Sequence, residues 1–171
     1  MISPKRNLYA LGISMLIVAT ACESAAPLNE SGNGQFAGFV DEYLVDFARR
    51  HPSIAAGNGI HDFDGTLDDF SAKSIAAEIE ALKRARTRLA AFSDSQLTAD
   101  ERVDRRILDG VMDGWLLEQE TLQNWKRNPM LYASALSDGV HNLMTMTHEP
   151  AAVRMQRIVS KLAGLPALLT A

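Results

Sequence analysis

Phe36, Phe39, Val40, Tyr43, Leu44 and Phe47 recur at i, i+3, i+4, i+7, i+8 and i+11. That spacing draws one continuous apolar face on a helix. Nothing after residue 22 alternates apolar and polar side chains over a useful length. A half-buried strand needs such alternation, so the predicted fold class is all-α. The expectation is an array of about five amphipathic helices, including one long helix.

Arg49, Arg50 and His51 suit the negative end of the first helix, and Pro52 stops it. Residues 53–71 hold three glycines and a run of aspartates. They read as an ordered loop anchored by Ile60, Phe63, Leu67 and Phe70. A second helix over residues 72–92 places Ile75, Ile79, Leu82, Ala85, Leu89 and Phe92 on a seam, with Lys83, Arg84, Arg86 and Arg88 on a solvated face. Thr98 and Glu101 have the spacing of a capping box. The helix they open meets no breaker before Asn128-Pro129. About 27 residues at ~1.5 Å each make a rod of roughly 40 Å. Gly110 and Gly114 lie within it, where a neighbouring helix could come close. A fourth helix is expected over residues 130–146, with Leu136, Val140, Leu143 and Met144 on one side. A fifth opens near Pro150 and carries Val153, Arg154, Arg157, Ile158 and Leu162.

The N-terminus has a different character. Lys5 and Arg6 precede an uncharged apolar run over residues 8–21. That run is too short to cross a bilayer comfortably. Small residues Ala19, Thr20 and Ala21 then lead to Cys22, the only cysteine. These are the parts of a secretory signal over residues 1–21. Val18-Ala19-Thr20-Ala21-Cys22 resembles a bacterial lipobox, which makes Cys22 the expected lipid-attachment residue. Acylation would also remove a free thiol that export exposes to oxidation. Glu23 rather than Asp follows, as in lipoproteins addressed to the outer membrane. The expected location is therefore the cell envelope, anchored by lipid on the periplasmic side of the outer membrane. Residues 22–35 read as a flexible tether and residues 36–171 as the helical domain. Setting Lys5 and Arg6 aside from the 17 basic residues leaves 15 against 21 acidic, a formal charge of about −6. Nucleic acid is not an expected partner of such a chain.

Motifs for chemistry are incomplete. Asp62-Phe63-Asp64-Gly65-Thr66 has the D-x-D-G-T pattern of haloacid-dehalogenase-type phosphatases, but that motif must crown a buried parallel strand. The run before Asp62 is polar and broken by glycine, so these aspartates are read as caps of helices and turns. Aligned as an EF-hand loop, the segment has Ser71 where the bidentate carboxylate belongs. His148-Glu149 begins an H-E-x-x-H motif, but position 152 is alanine and Pro150 intervenes. It is read as an exposed pair before a helix. His51, His61 and His141 are scattered, and no pair stands at ligand spacing. No catalytic residue and no metal ligand are assigned to this chain. Glu118 falls on the line through Ile107, Val111, Trp115, Leu122 and Trp125. A carboxylate there is either paired or facing a cavity.

Several pieces in order resemble a known family. They are Phe39 and Tyr43 before His51-Pro52, the Gly59-Ile60-His61-Asp62-x-Asp64-Gly65 loop, and Leu67-Asp68-Asp69-x-Ser71 before a helix. Asn128-Pro129 with Tyr132 follows, and then an arginine-rich helix ending Leu165-Pro166-x-Leu168-Leu169. Together they resemble the N-terminal region of the bacterial "domain of unknown function 885" family. The resemblance implies a long helical protein, related to gluzincin-type zinc metallopeptidases, whose H-E-x-x-x-H-like motif lies far downstream. Zinc is implied for the full-length family and for no residue here. It also implies that the sequence is a fragment whose apolar faces dock on missing C-terminal helices of the same domain. The chain is then the N-terminal portion of an exported, membrane-anchored, peptidase-like protein, inactive by itself. The alternative is a self-contained helical-bundle lipoprotein acting as a binding or envelope-interaction module.

Overall fold

The computed structural model describes residues 32–170. Helices are its only regular structure, and no strand occurs among the described residues. The signal segment and Cys22 lie outside them, as does most of the expected tether. No helix among the described residues is long and apolar enough to cross a membrane.

Helix α1 (Gly34–Arg50) starts slightly ahead of the expected position because Asn33 caps it, its side chain accepting from the amides of Gln35 and Phe36. Phe36, Phe39 and Tyr43 are buried on its inner face, as expected, whereas Leu44 is 46% exposed. Helix α2 (Pro52–Gly57) takes up the first residues of the expected loop. Pro52 pre-sets the backbone for a first helical turn, and the alanines that follow propagate it. Gly59, at φ 82°, turns the chain out of this segment. Helix α3 (Ala72–Ala90) is capped by Ser71 and buries Ile75, Glu78, Leu82 and Leu89. The glutamate among them was not anticipated.

After a 3-10 turn (Asp94–Gln96), Thr98 and Glu101 form the capping box that opens α4 (Ala99–Leu116). The expected long helix is there, running from Ala99 to Arg127, but it is not α-helical throughout. A π-helical turn (Leu117–Leu122) ends with the Gln123 amide donating to the Glu118 carbonyl at 2.7 Å, and Gln123 itself is left-handed at φ 51°. Gln119, within this turn, is buried, and its Nε2 donates to Glu78. Gln119 lies seven residues after Met112 and three after Leu116, so it continues the buried face of α4. A short α5 (Asn124–Arg127) leads to α6 (Pro129–Thr145), α7 (Ala151–Ala163) and α8 (Leu165–Leu169).

Two apolar clusters hold these helices together. The first joins Phe36, Phe39 and Tyr43 to Leu82 and Leu89 of α3, to Leu97, and to Met112 and Leu116 of α4. Phe92 closes it with an edge-on contact to Phe36, ring centroids 5.3 Å apart. The second gathers Phe70, Ile75 and Leu168, with Leu131, Tyr132 and Leu136 of α6 packed around them. Each fully buried aliphatic side chain in such clusters contributes roughly 1.5–3 kcal/mol. The basic residues of α3 do face solvent, but Arg88 pairs with Glu42 at 2.7 Å, Arg86 with Asp113 at 2.6 Å and Lys83 with Glu120 at 2.6 Å. Exposed pairs like these add little stability, so the orientation of the helices rests on the apolar clusters.

Candidate functional site

A cavity of about 560 Å³ opens between α2, the π turn and α6. Ile54, Phe70, Trp115 and Leu131 supply its apolar wall, while Glu118, Asp138 and Asp68 supply carboxylates. No lysine or arginine lines it. Glu118 and Asp138 enter no ion pair among the described residues. Of the two readings of Glu118, the structure selects the cavity. A larger hollow of about 720 Å³ lies between α5, α6 and α8, but its lining is apolar apart from Lys126, Arg127 and Asn128.

The back wall of the cavity is a buried polar network. His51 Nε2 lies 2.6 Å from Glu78 Oε1, and Gln119 Nε2 donates to Glu78 Oε2 at 3.1 Å. All three side chains are buried. The imidazole is held between Phe47 and Trp115, at centroid distances of 4.4 and 4.5 Å. Both oxygens of Glu78 are therefore partnered, which is what a buried carboxylate requires. The network fixes Trp115 and Gln119 in the cavity wall.

A second network lies at the floor. Ser53 Oγ donates to Asp68 and also reaches the Ala135 carbonyl of α6. Lys161 of α7 is 0% exposed, and its Nζ has no hydrogen-bond partner. Burial pushes the Asp68 carboxyl up from its ordinary pKa, with the Ser53 hydrogen bond opposing, and pulls the Lys161 amine down. Gly139 makes room for these groups. A Cβ at that position would stand 3.0 Å from both Lys161 Nζ and Ser53 Oγ.

A third cluster forms outside the cavity, where the loop after α2 meets the turn between α6 and α7. Asp64 is fully buried. Its Oδ2 lies 2.9 Å from His61 Nδ1 and 3.1 Å from His148 Nε2. The two imidazoles stack face to face, centroids 3.4 Å apart and planes within 2°. Beside them, Arg157 binds Glu149 with two hydrogen bonds of 2.6 and 2.7 Å, holding that carboxyl below its usual range.

Several expectations are corrected here. His148 is not an exposed loop residue: it is drawn onto His61, 87 positions earlier in the chain. Asp64 and Asp68 are buried partners rather than surface caps, whereas Asp69 does cap, accepting from the Ser71 amide. Asp62 is exposed and Asp64 sits in a turn, without the strand that the phosphatase motif requires. The side of α4 carrying Ile107 and Val111 is exposed, and Met112 and Leu116 form the buried one. On α6, Leu143 points inward and Met144 outward; on α7, Lys161 takes the inner position and Leu162 is exposed. Sequence reading missed Ser53, Glu78, Gln119 and Lys161. The helical phase of α7 carried one signal, since Lys161 stands three residues after the inward Ile158.

The family model described as "Bacterial protein of unknown function (DUF885)" matches residues 52–171. The chain belongs to this family. No curated protein and no solved structure matches it. The DUF885 match takes in Ser53, Asp64, Asp68, Glu118, His148 and Lys161, so the cavity and the imidazole cluster both lie in family sequence. His51 falls one residue outside it.

Proposed function

We propose that this DUF885 chain is the N-terminal helical portion of an exported, membrane-anchored protein resembling zinc metallopeptidases. Its cavity, on this reading, holds the amino end of a short peptide. The observation that carries the proposal is the charge of the cavity wall. Two carboxylates without a cationic partner, Glu118 and Asp138, line a recess that also has an apolar wall of Ile54, Phe70, Trp115 and Leu131. Its volume of about 560 Å³ suits a small ligand. An ammonium group on an apolar body complements both features at once. A carboxylate or phosphate ligand meets repulsion there.

Hydrolysis and its catalytic zinc are the expected work of the H-E-x-x-x-H-like segment of the wider family, and no residue of this chain is assigned to catalysis. By itself the chain binds and does not cleave. Export and anchoring rest on the residues around Cys22. The partner for the outer side of α4 is the remainder of the family domain. That side carries exposed Val103, Ile107 and Val111, with open space at Gly110 and Gly114. Small residues there allow a close helix contact.

The test combines two measurements. Calorimetric titration with Ala-Phe-amide should give saturable binding, weakened at least tenfold in Glu118→Gln/Asp138→Asn. Equal affinity of wild type and variant would remove the cavity reading. Cys22→Ser should abolish partition of the expressed chain into the detergent phase. Unchanged partition would remove the lipid anchor.

A further inference from the structure

His61, Asp64 and His148 offer two nitrogens and one carboxylate oxygen, all within 4.8 Å of one another. We propose that these three residues bind a divalent transition-metal ion of the zinc type, which clamps the turn between α6 and α7 onto the loop after α2. The site is separate from the amine-binding cavity and does not depend on that reading.

The argument starts from groups left without partners. Asp64 is 0% exposed, yet its Oδ1 accepts no hydrogen bond. Both nitrogens of His148 are buried and unbonded, Nε2 facing Asp64 Oδ2 at 3.1 Å without the alignment of a hydrogen bond. Buried polar groups in native proteins are almost always partnered. The nearest cations do not repair this. Arg157 is committed to Glu149 by two hydrogen bonds, and Lys161 Nζ bonds to nothing. Two imidazoles stacked at a centroid distance of 3.4 Å, both directed at one carboxylate oxygen, would repel each other strongly as two imidazolium ions.

One metal ion between them gives His148 Nε2, His61 and the Asp64 carboxylate a common partner. It accepts a lone pair from each imidazole, and it neutralises Asp64. Two histidines and one carboxylate form a borderline nitrogen and oxygen donor set suited to zinc, with a fourth position for water. Side-chain exposure of 21% at His61 and 16% at His148 leaves a path from solvent. The rings must tilt out of parallel to aim both lone pairs at a common point, a rotation about the side-chain torsions. Glu149, with Oε2 3.9 Å from His148 Nε2, is held back by Arg157 as a neighbour rather than a ligand.

The experiment uses the full chain, purified in detergent and stripped with a chelator. Zinc ion alone is titrated by calorimetry, and cobalt ion by visible absorption, which reports nitrogen and oxygen ligation directly. One ion per chain should bind and raise the thermal midpoint. His148→Ala and His61→Ala should each weaken zinc binding at least a hundredfold and abolish the cobalt spectrum. His141→Ala, at an exposed histidine elsewhere on α6, should bind as wild type does. His61 is partly exposed, so its variant is expected to fold even if changes at Asp64 do not. No saturable binding to the wild type, or binding that survives loss of both histidines, overturns the proposal.

Discussion

His51 and Glu78 meet at 2.6 Å across 27 positions of sequence, with Gln119 bonded to the other carboxylate oxygen. This contact ties the end of α1 to the middle of α3 and to the π turn. Glu78→Gln preserves shape and removes the charge, so it tests the hydrogen bond itself. A loss of about 2 kcal/mol in denaturant unfolding is expected, because a buried hydrogen bond to a charged group is weakened. A change below about 0.5 kcal/mol, the usual range for surface sites, would mean that the network carries no weight.

Gly139→Ala should be destabilising although alanine is the better helix former by about 1 kcal/mol. The new methyl would meet Ser53 Oγ and Lys161 Nζ at 3.0 Å. Ser53 is fixed by Asp68 and the Ala135 carbonyl and has nowhere to go. Overpacking typically costs about 1–3 kcal/mol, so a net loss is expected in thermal melts. A rise in the melting temperature would show that Lys161 yields freely.

Adjacent residues of α4 should behave oppositely. Met112 is 0% exposed and Val111 is 41% exposed. Met112→Ala should cost about 3 kcal/mol through lost contacts and a residual cavity. Val111→Ala should stay within about 0.5 kcal/mol. Unfolding curves that rank the pair the other way would place the core on the wrong side of the helix.

The Glu101 carboxyl is held below its usual range, first by the Thr98 amide and then by the Asn33 amide. A depressed folded-state pKa contributes stability above the ordinary glutamate value, and the contribution fades as pH falls through the depressed value. Wild type should therefore melt above Glu101→Gln near neutral pH, with the gap closing on acidification. Melting curves collected across that range check both the sign and the window. A gap that widens towards acid would contradict it.

The helices were legible because their signals are local. Thr98 and Glu101 announce a start, and Phe36, Phe39 and Tyr43 repeat on a period that nothing else produces. Where the phase was misjudged, tertiary partners decided. Ile107 and Val111 look as apolar as Met112, but the α3 seam meets Met112. The pairing of Gln119 with Glu78 was invisible because the two stand 41 positions apart and neither belongs to a local motif. The candidate sites were hardly legible at all. Asp64 and His148 are far apart in sequence, and only the packing of α6 and α7 over the loop brings the imidazoles onto one carboxylate. Lys161 reads as a surface residue by type, and its burial depends on the absence of a side chain at Gly139.

Trp115 lines the cavity beside the His51 network, so its fluorescence reports on occupancy. Titrating the chain with Ala-Phe-amide and with its N-acetylated form isolates the contribution of the charged amine. The account predicts a saturable change for the free amine and an affinity at least tenfold lower for the acetylated peptide, about 1.4 kcal/mol. Equal responses to the two peptides, or none to either, would contradict it.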